Sequence, residues 1–94
     1  MGVIFDIVYH ELVARDDIPK LPSTDRVRVK KAIEGKLSKA PDLFGKPLRR
    51  SLRGYRKLRV GDFRIIFRIE NHIVKVLVIG HRSVVYRMVA KRIK

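Results

Sequence analysis

The stretch "IGHRSVVY", Ile79 to Tyr86, places His81, Arg82 and Tyr86 close together in the chain. Histidine gives or takes a proton near neutral pH. A guanidinium grips phosphate oxygens in a two-pronged fork, and a tyrosine stacks on a base or shares in proton transfer. Upstream, "YRKLRVGDFRIIFR" carries Arg56, Lys57, Arg59, Arg64 and Arg68 among alternating apolar residues. These residue types suit cleavage of a phosphodiester whose nucleophile is supplied by the substrate. RNA brings such a nucleophile, its 2′-OH. A site that removes the 2′ proton, stabilises the dianionic phosphorane with Arg and protonates the leaving oxygen needs no metal. The sequence has no cysteine and no carboxylate cluster, so no metal site and no cofactor is expected.

Plainer readings compete at each position. A histidine at a strand end is more often structural than catalytic. Tyr86, Ala90 and Ile93 fall at i, i+4 and i+7, which also fits a packing stripe. An antiparallel sheet commonly leaves one face in water, and charge there needs no function. Arg68 and Lys75 take that plainer reading. His10 and His72 read as a helix start and a turn. Lys57, Arg59 and Arg64 do not fit it, because facing cations with almost no acid between them are a poor way to gain solubility.

The elements that must position these residues follow from periodicity and punctuation. "VIFDIVY", Val3 to Tyr9, is β-branched and aromatic and reads as a first strand. His10 to Ile18 reads as a short helix ended by Pro19 and Pro22. A second helix starts at Ser23 or Thr24 as its cap, carries Asp25 in its positive first turn, and stops at Pro41. Val29, Ile33 and Leu37 form its apolar stripe, and Gly35 weakens its middle. Strands are expected near 54–60, 63–70 and 73–80, and a last helix capped by Ser83. The expected fold is α+β: a small, antiparallel-rich sheet in the order β-α-α-β-β-β-α, with the helices packed on one face.

Turns at Gly61-Asp62 and Asn71-His72 fix a register. Val60 then faces Phe63, Arg59 faces Arg64, Leu58 faces Ile65 and Lys57 faces Ile66. On the next strand Val76 faces Phe67, Val78 faces Ile65 and Gly80 faces Phe63. One face collects Leu58, Phe63, Ile65, Phe67, Val76 and Val78; the other collects Tyr55, Lys57, Arg59, Arg64 and His81. Arg59 opposite Arg64 is a like-charge cross-strand pair, unfavourable unless an anion sits there.

The bulk composition points the same way. The chain of 94 residues is the size of one domain, and its net charge is +14. Such a charge opposes compaction and favours polyanionic partners. From Lys46 to Arg59 there are seven cations and no acid, which adds salt-dependent, sequence-independent attraction to phosphates. Arg49, Arg50, Arg53, Tyr55 and Arg59 are the expected nucleic-acid-binding residues. The N-terminus lacks the pattern of a signal peptide, and no apolar run is long enough for a transmembrane helix. A cytoplasmic protein without membrane contact is expected.

At "YRKLRVGDFRIIFRIENHIVKVLVIGHRSVVY" the chain resembles the RelE/ParE toxin superfamily, on its RelE-like side. The resemblance covers essentially all of residues 1–94 as one domain. It implies a toxin of a type II toxin–antitoxin pair, and a ribosome-dependent endoribonuclease that cuts mRNA. By motif position it implies that Lys57 supports the attacking hydroxyl and that Arg64 stabilises the phosphate. It places His81 or Arg82 as the acid and Tyr86 as the C-terminal tyrosine. The family's best-known members carry two alternating lysines before the hairpin turn, where "YRKLR" supplies Lys57 between Arg56 and Arg59. The general base is thus open between Lys57 and His81. The expected partners are mRNA, the ribosome and a cognate acidic antitoxin. Two other functions stay open: a ParE-like inhibitor of gyrase that cuts nothing, and a non-catalytic nucleic-acid-binding module.

Overall fold

The structure is a computed structural model and describes residues 4–93. A five-stranded sheet runs in the order β1-β5-β4-β3-β2. Its strands are β1 (Asp6–Tyr9), β2 (Lys46–Pro47), β3 (Arg56–Val60), β4 (Phe63–Glu70) and β5 (Ile73–His81). β1 runs parallel to β5, and the other pairs are antiparallel. Val3, the expected start of the first strand, lies outside the described residues.

The helices are α1 (Ile18–Lys20), α2 (Ser23–Ala32), α3 (Pro41–Phe44) and α4 (Val85–Ile93). A π-helical turn, Val13–Asp17, runs into α1, and another, Ile33–Leu37, continues α2. The second contains Gly35, so the helix widens where its propensity is weakest. The wider turn rotates the stripe back toward the sheet, which keeps Val29, Ile33 and Leu37 all buried. The expected Ser23 or Thr24 cap is not made. Pro22 occupies the N-cap position, and its carbonyl accepts the Arg26 N–H at 2.8 Å.

The main core lies between this long helical segment and one sheet face, where Leu58, Ile65, Phe67, Val74, Val76 and Ile79 are buried. A smaller core joins Ile66 and Val78 to Val85 and Val89 of α4, flanked by Leu48 and Leu52. Ile65 and Ile66 are neighbours in β4 and so point to opposite faces. The α+β class and the mostly antiparallel sheet are as expected, and α4 with the 48–52 loop adds a layer on the second face.

The β3–β4 register is the expected one, from Lys57 opposite Ile66 to Val60 opposite Phe63. The β4–β5 register departs from it. Val76 pairs with Phe67, but Val78 pairs with Ile66, with the irregularity at Ile66/Phe67. Leu77 is the extra residue, a β-bulge. Beyond it every side chain of β5 changes face. Ile79 enters the main core, Val78 turns to α4, Gly80 lies opposite Arg64, and His81 lies opposite Phe63. Gly80 also lets α4 come close, since a Cβ there would sit 2.7 Å from Met88 Sδ.

Candidate functional site

β3 and β4 are held by the tight turn at Gly61-Asp62, where Gly61 takes φ 58°, a conformation glycine adopts without strain. The turn sets Arg59 directly opposite Arg64. On the outer side, the two residues of β2 set Lys46 directly opposite Lys57. Directly opposed residues share a face, so two like-charge pairs stand side by side. All four side chains line one cavity of about 360 Å³ together with Lys36, Phe44 and Leu58. Its lining holds five cations and no acid. Cations opposed in this way repel one another, and an anion in the cavity relieves the repulsion. Five positive charges outnumber what one phosphodiester neutralises, so the site suits an anion of several charges.

Arg64 is fixed within this group. Its Nη1 donates to the carbonyls of Gly61 at 3.1 Å and Phe63 at 2.9 Å. These bonds tie the guanidinium to the turn and limit the rearrangement needed when a phosphate arrives. Arg56, its neighbour in sequence to Lys57, points the other way, as the alternation predicts. Its Nη1 donates to Gly45 O at 2.9 Å and Asp42 O at 3.3 Å, which pins α3.

The other predicted residues fall into separate groups. Tyr55 lies at the far end of the same face, in a second cavity of about 320 Å³ with Tyr9, His10, Arg68 and Lys75. Glu70 forms ion pairs with both Arg68 and Lys75 there, which matches their plainer reading as a solvated surface. Burial pushes the Tyr9 phenol above its ordinary value, and the Glu34 carboxylate adds to the effect. Arg49, Arg50 and Arg53 are exposed on the loop before β3. Arg50 takes φ 60°, an unusual conformation for a residue with a Cβ.

His81 does not join the cavity of Lys57 and Arg64. The bulge at Leu77 turns it to the other face, where its ring meets Phe63 edge-on at 5.7 Å. Its Nδ1 accepts the Ser83 N–H at 3.1 Å and lies 2.7 Å from Ser83 Oγ. Accepting an N–H at Nδ1 places the proton of the neutral ring on Nε2, which then is a donor. Ser83, expected as a helix cap, bonds His81 instead. Arg82 lies against the hairpin turn, its N–H donating to Asp62 O at 2.8 Å and its Nε 4.0 Å from the Asp62 carboxylate. Tyr86 is 40% exposed on α4, and Ile93 is exposed as well, so their stripe faces out rather than packing. Val85 and Val89 carry the packing instead.

Lys36, Phe44 and Lys46 were not singled out by the sequence. Lys46 opens the acid-free run before the sheet, but a two-residue strand has no periodicity to reveal. Lys36 and Phe44 reach the site only through the π turn and α3.

Comparison with known proteins places this geometry in context. Residues 10–86 match the family model described as ParE toxin of type II toxin-antitoxin system, parDE. Toxin RelG of Mycobacterium tuberculosis is 41% identical over 76 residues, 79% of this chain and 87% of that protein. Toxin RelE of the same organism is 34% identical over 88 residues, 88% of this chain and 91% of that protein. The crystal structure of the toxin–antitoxin complex RelBE2 from Mycobacterium tuberculosis contains a similar chain, with TM-score 0.78, 35% identity, and coverage of 86% of this chain and 94% of that one. A mutant of the Escherichia coli toxin RelE in the free state shares the fold, with TM-score 0.63 at 23% identity over 97% of this chain and 99% of that one.

Proposed function

The chain belongs to the RelE/ParE family of type II toxin–antitoxin toxins, and on that premise we propose that it is a ribosome-dependent endoribonuclease cutting mRNA by 2′-OH attack. The observation that carries this reading is the acid-free cavity in which Lys57, Arg59 and Arg64 converge. In the proposed reaction the 2′-oxygen bonds to the adjacent phosphorus and the bond from phosphorus to the 5′-oxygen breaks. The products are a 2′,3′-cyclic phosphate and a 5′-OH. Lys57 Nζ, in its amine form, takes the proton of the 2′-hydroxyl as its oxygen attacks, and the ammonium so formed lies beside the developing charge. Arg64, anchored by the turn carbonyls, stabilises the equatorial oxygens of the phosphorane, with Arg59 beside it.

The leaving 5′-oxygen needs a proton. His81, which follows Gly80, the residue opposite Arg64, is the proposed acid in its imidazolium form, with Nδ1 donating to Ser83 Oγ at 2.7 Å and Nε2 carrying the transferable proton. With His81 as acid, Lys57 is the base at the attacking oxygen. Arg82 and Tyr86 flank the approach. The exposed Arg49, Arg50 and Arg53 add attraction to the RNA backbone. A ribosomal target places the protein in the cytoplasm, and a small acidic antitoxin is its partner.

The experiment is cleavage of mRNA on purified ribosomes by wild type and Arg64→Ala, with cut sites mapped by primer extension. A second reading, a ParE-like gyrase inhibitor, is favoured by one observation: His81 lies apart from the Lys57 and Arg64 cavity. A gyrase supercoiling assay run in parallel separates the two.

A further inference from the structure

The cavity around Arg64 extends past Lys46, the first residue of β2, to the edge of β3 beyond it. Three side chains from outside the predicted site line it there. The π turn Ile33–Leu37 supplies Lys36, α3 supplies Phe44, and β2 supplies Lys46. Phe44 is 43% exposed, a high value for a phenylalanine. Lys36 Nζ lies 5.5 Å from the centre of its ring, a cation–π distance. An exposed ring beside two lysines combines the two features that single-stranded nucleic acid requires, a stacking platform and a charged track for the backbone.

We infer that Phe44, Lys36 and Lys46 form a subsite for a nucleotide adjoining the scissile phosphate, with its base stacked on Phe44 and its phosphate between the two lysines. This rests on reading the cavity as an RNA site, and it names how a second nucleotide is held. The charge supports it: Lys57, Arg59 and Arg64 suffice for one phosphate, and Lys36 and Lys46 remain for another. The stack is tolerant of base identity, because every base has a π-face, so the subsite gives affinity and position with weak sequence preference.

The test is binding of a fluorescein-labelled, 2′-O-methylated RNA hexanucleotide, which has no free 2′-OH to attack, followed by anisotropy over a salt series. Phe44→Leu is expected to weaken binding by about 5- to 100-fold with an unchanged salt slope, and Phe44→Tyr to restore it. Lys36→Gln is expected to reduce the slope of log K against log salt by about 0.7, the value for one phosphate contact on a single strand. If both Phe44→Leu and Lys36→Gln bind as wild type while Arg64→Ala binds weakly, the subsite is wrong and the RNA site stands. If wild type does not bind the hexanucleotide, or Arg64→Ala binds it equally well, the RNA reading of the cavity fails and the subsite with it.

Discussion

Asp17 and Arg92, 75 residues apart in the chain, meet in a two-pronged ion pair. Arg92 Nη1 lies 2.7 Å from Asp17 Oδ2, and Nη2 lies 3.2 Å from Oδ1. Asp17 Oδ2 also accepts the Ile79 N–H at 3.0 Å, and Arg92 also donates to Leu77 O at 3.0 Å. β1 pairs with β5 only as far as Val76, so these two side chains satisfy the backbone of β5 where no strand covers it. They also fasten the end of α4 to the sheet.

Truncating either partner leaves the other charge buried, and truncating Asp17 also leaves the Ile79 N–H without its acceptor. Asp17→Ala is therefore expected to cost about 3–5 kcal/mol, read as a lower midpoint in urea unfolding with an unchanged slope. A loss below about 1 kcal/mol would show that the pair is not a structural clasp.

Two glycines should respond oppositely to alanine. At Gly45 an added Cβ collides with the ring of Phe67, and Pro41 O lies 3.0 Å away. Gly45→Ala should destabilise by about 1–3 kcal/mol. At Gly35 nothing lies within 4 Å, and Gly35→Ala should stabilise by about 1 kcal/mol through helix propensity. Thermal melts of both variants check the contrast in sign.

The hairpin was legible because turn chemistry and alternation agree: Gly61-Asp62 sets the pairing, and Arg59 opposite Arg64 follows by counting. The bulge was not legible. Val76, Leu77, Val78 and Ile79 are all apolar, so a slip of one residue leaves no polar side chain buried to betray it. That one residue moved His81 and Val78 to opposite faces from those expected. The second core was missed for a related reason. Ile66 amid cations reads as an apolar gap in a charged face, whereas α4 covers it. Lys36, Phe44 and Lys46 join the site only through tertiary folding, which no local spacing encodes.

Two roles for His81, shaping the β5–α4 turn and the proposed gift of a proton, are separable by substitution. Asparagine retains an acceptor near the position of Nδ1 for the Ser83 N–H, but it cannot act as an acid. His81→Asn should keep the melting temperature of wild type and lose cleavage to the same extent as His81→Ala. Retained cleavage in His81→Asn would confine His81 to the turn and give the acid's role to another group.

The +14 charge should steer an acidic antitoxin. Its association rate constant, followed by stopped flow, is expected to fall steeply as ionic strength rises, while the dissociation rate changes less. An on-rate indifferent to salt would mean that charge does not guide the encounter.

The central claim is that Arg64 stabilises the phosphorane formed during mRNA cleavage on the ribosome. The direct measurement is single-turnover cleavage of ribosome-bound mRNA by wild type and Arg64→Ala at saturating toxin, with folding checked by circular dichroism. Removing one transition-state donor should slow the step by about 100- to 1000-fold, with the fold intact because Arg64 belongs to neither core. Cleavage by Arg64→Ala at the wild-type rate, or no cleavage by wild type, would contradict the account.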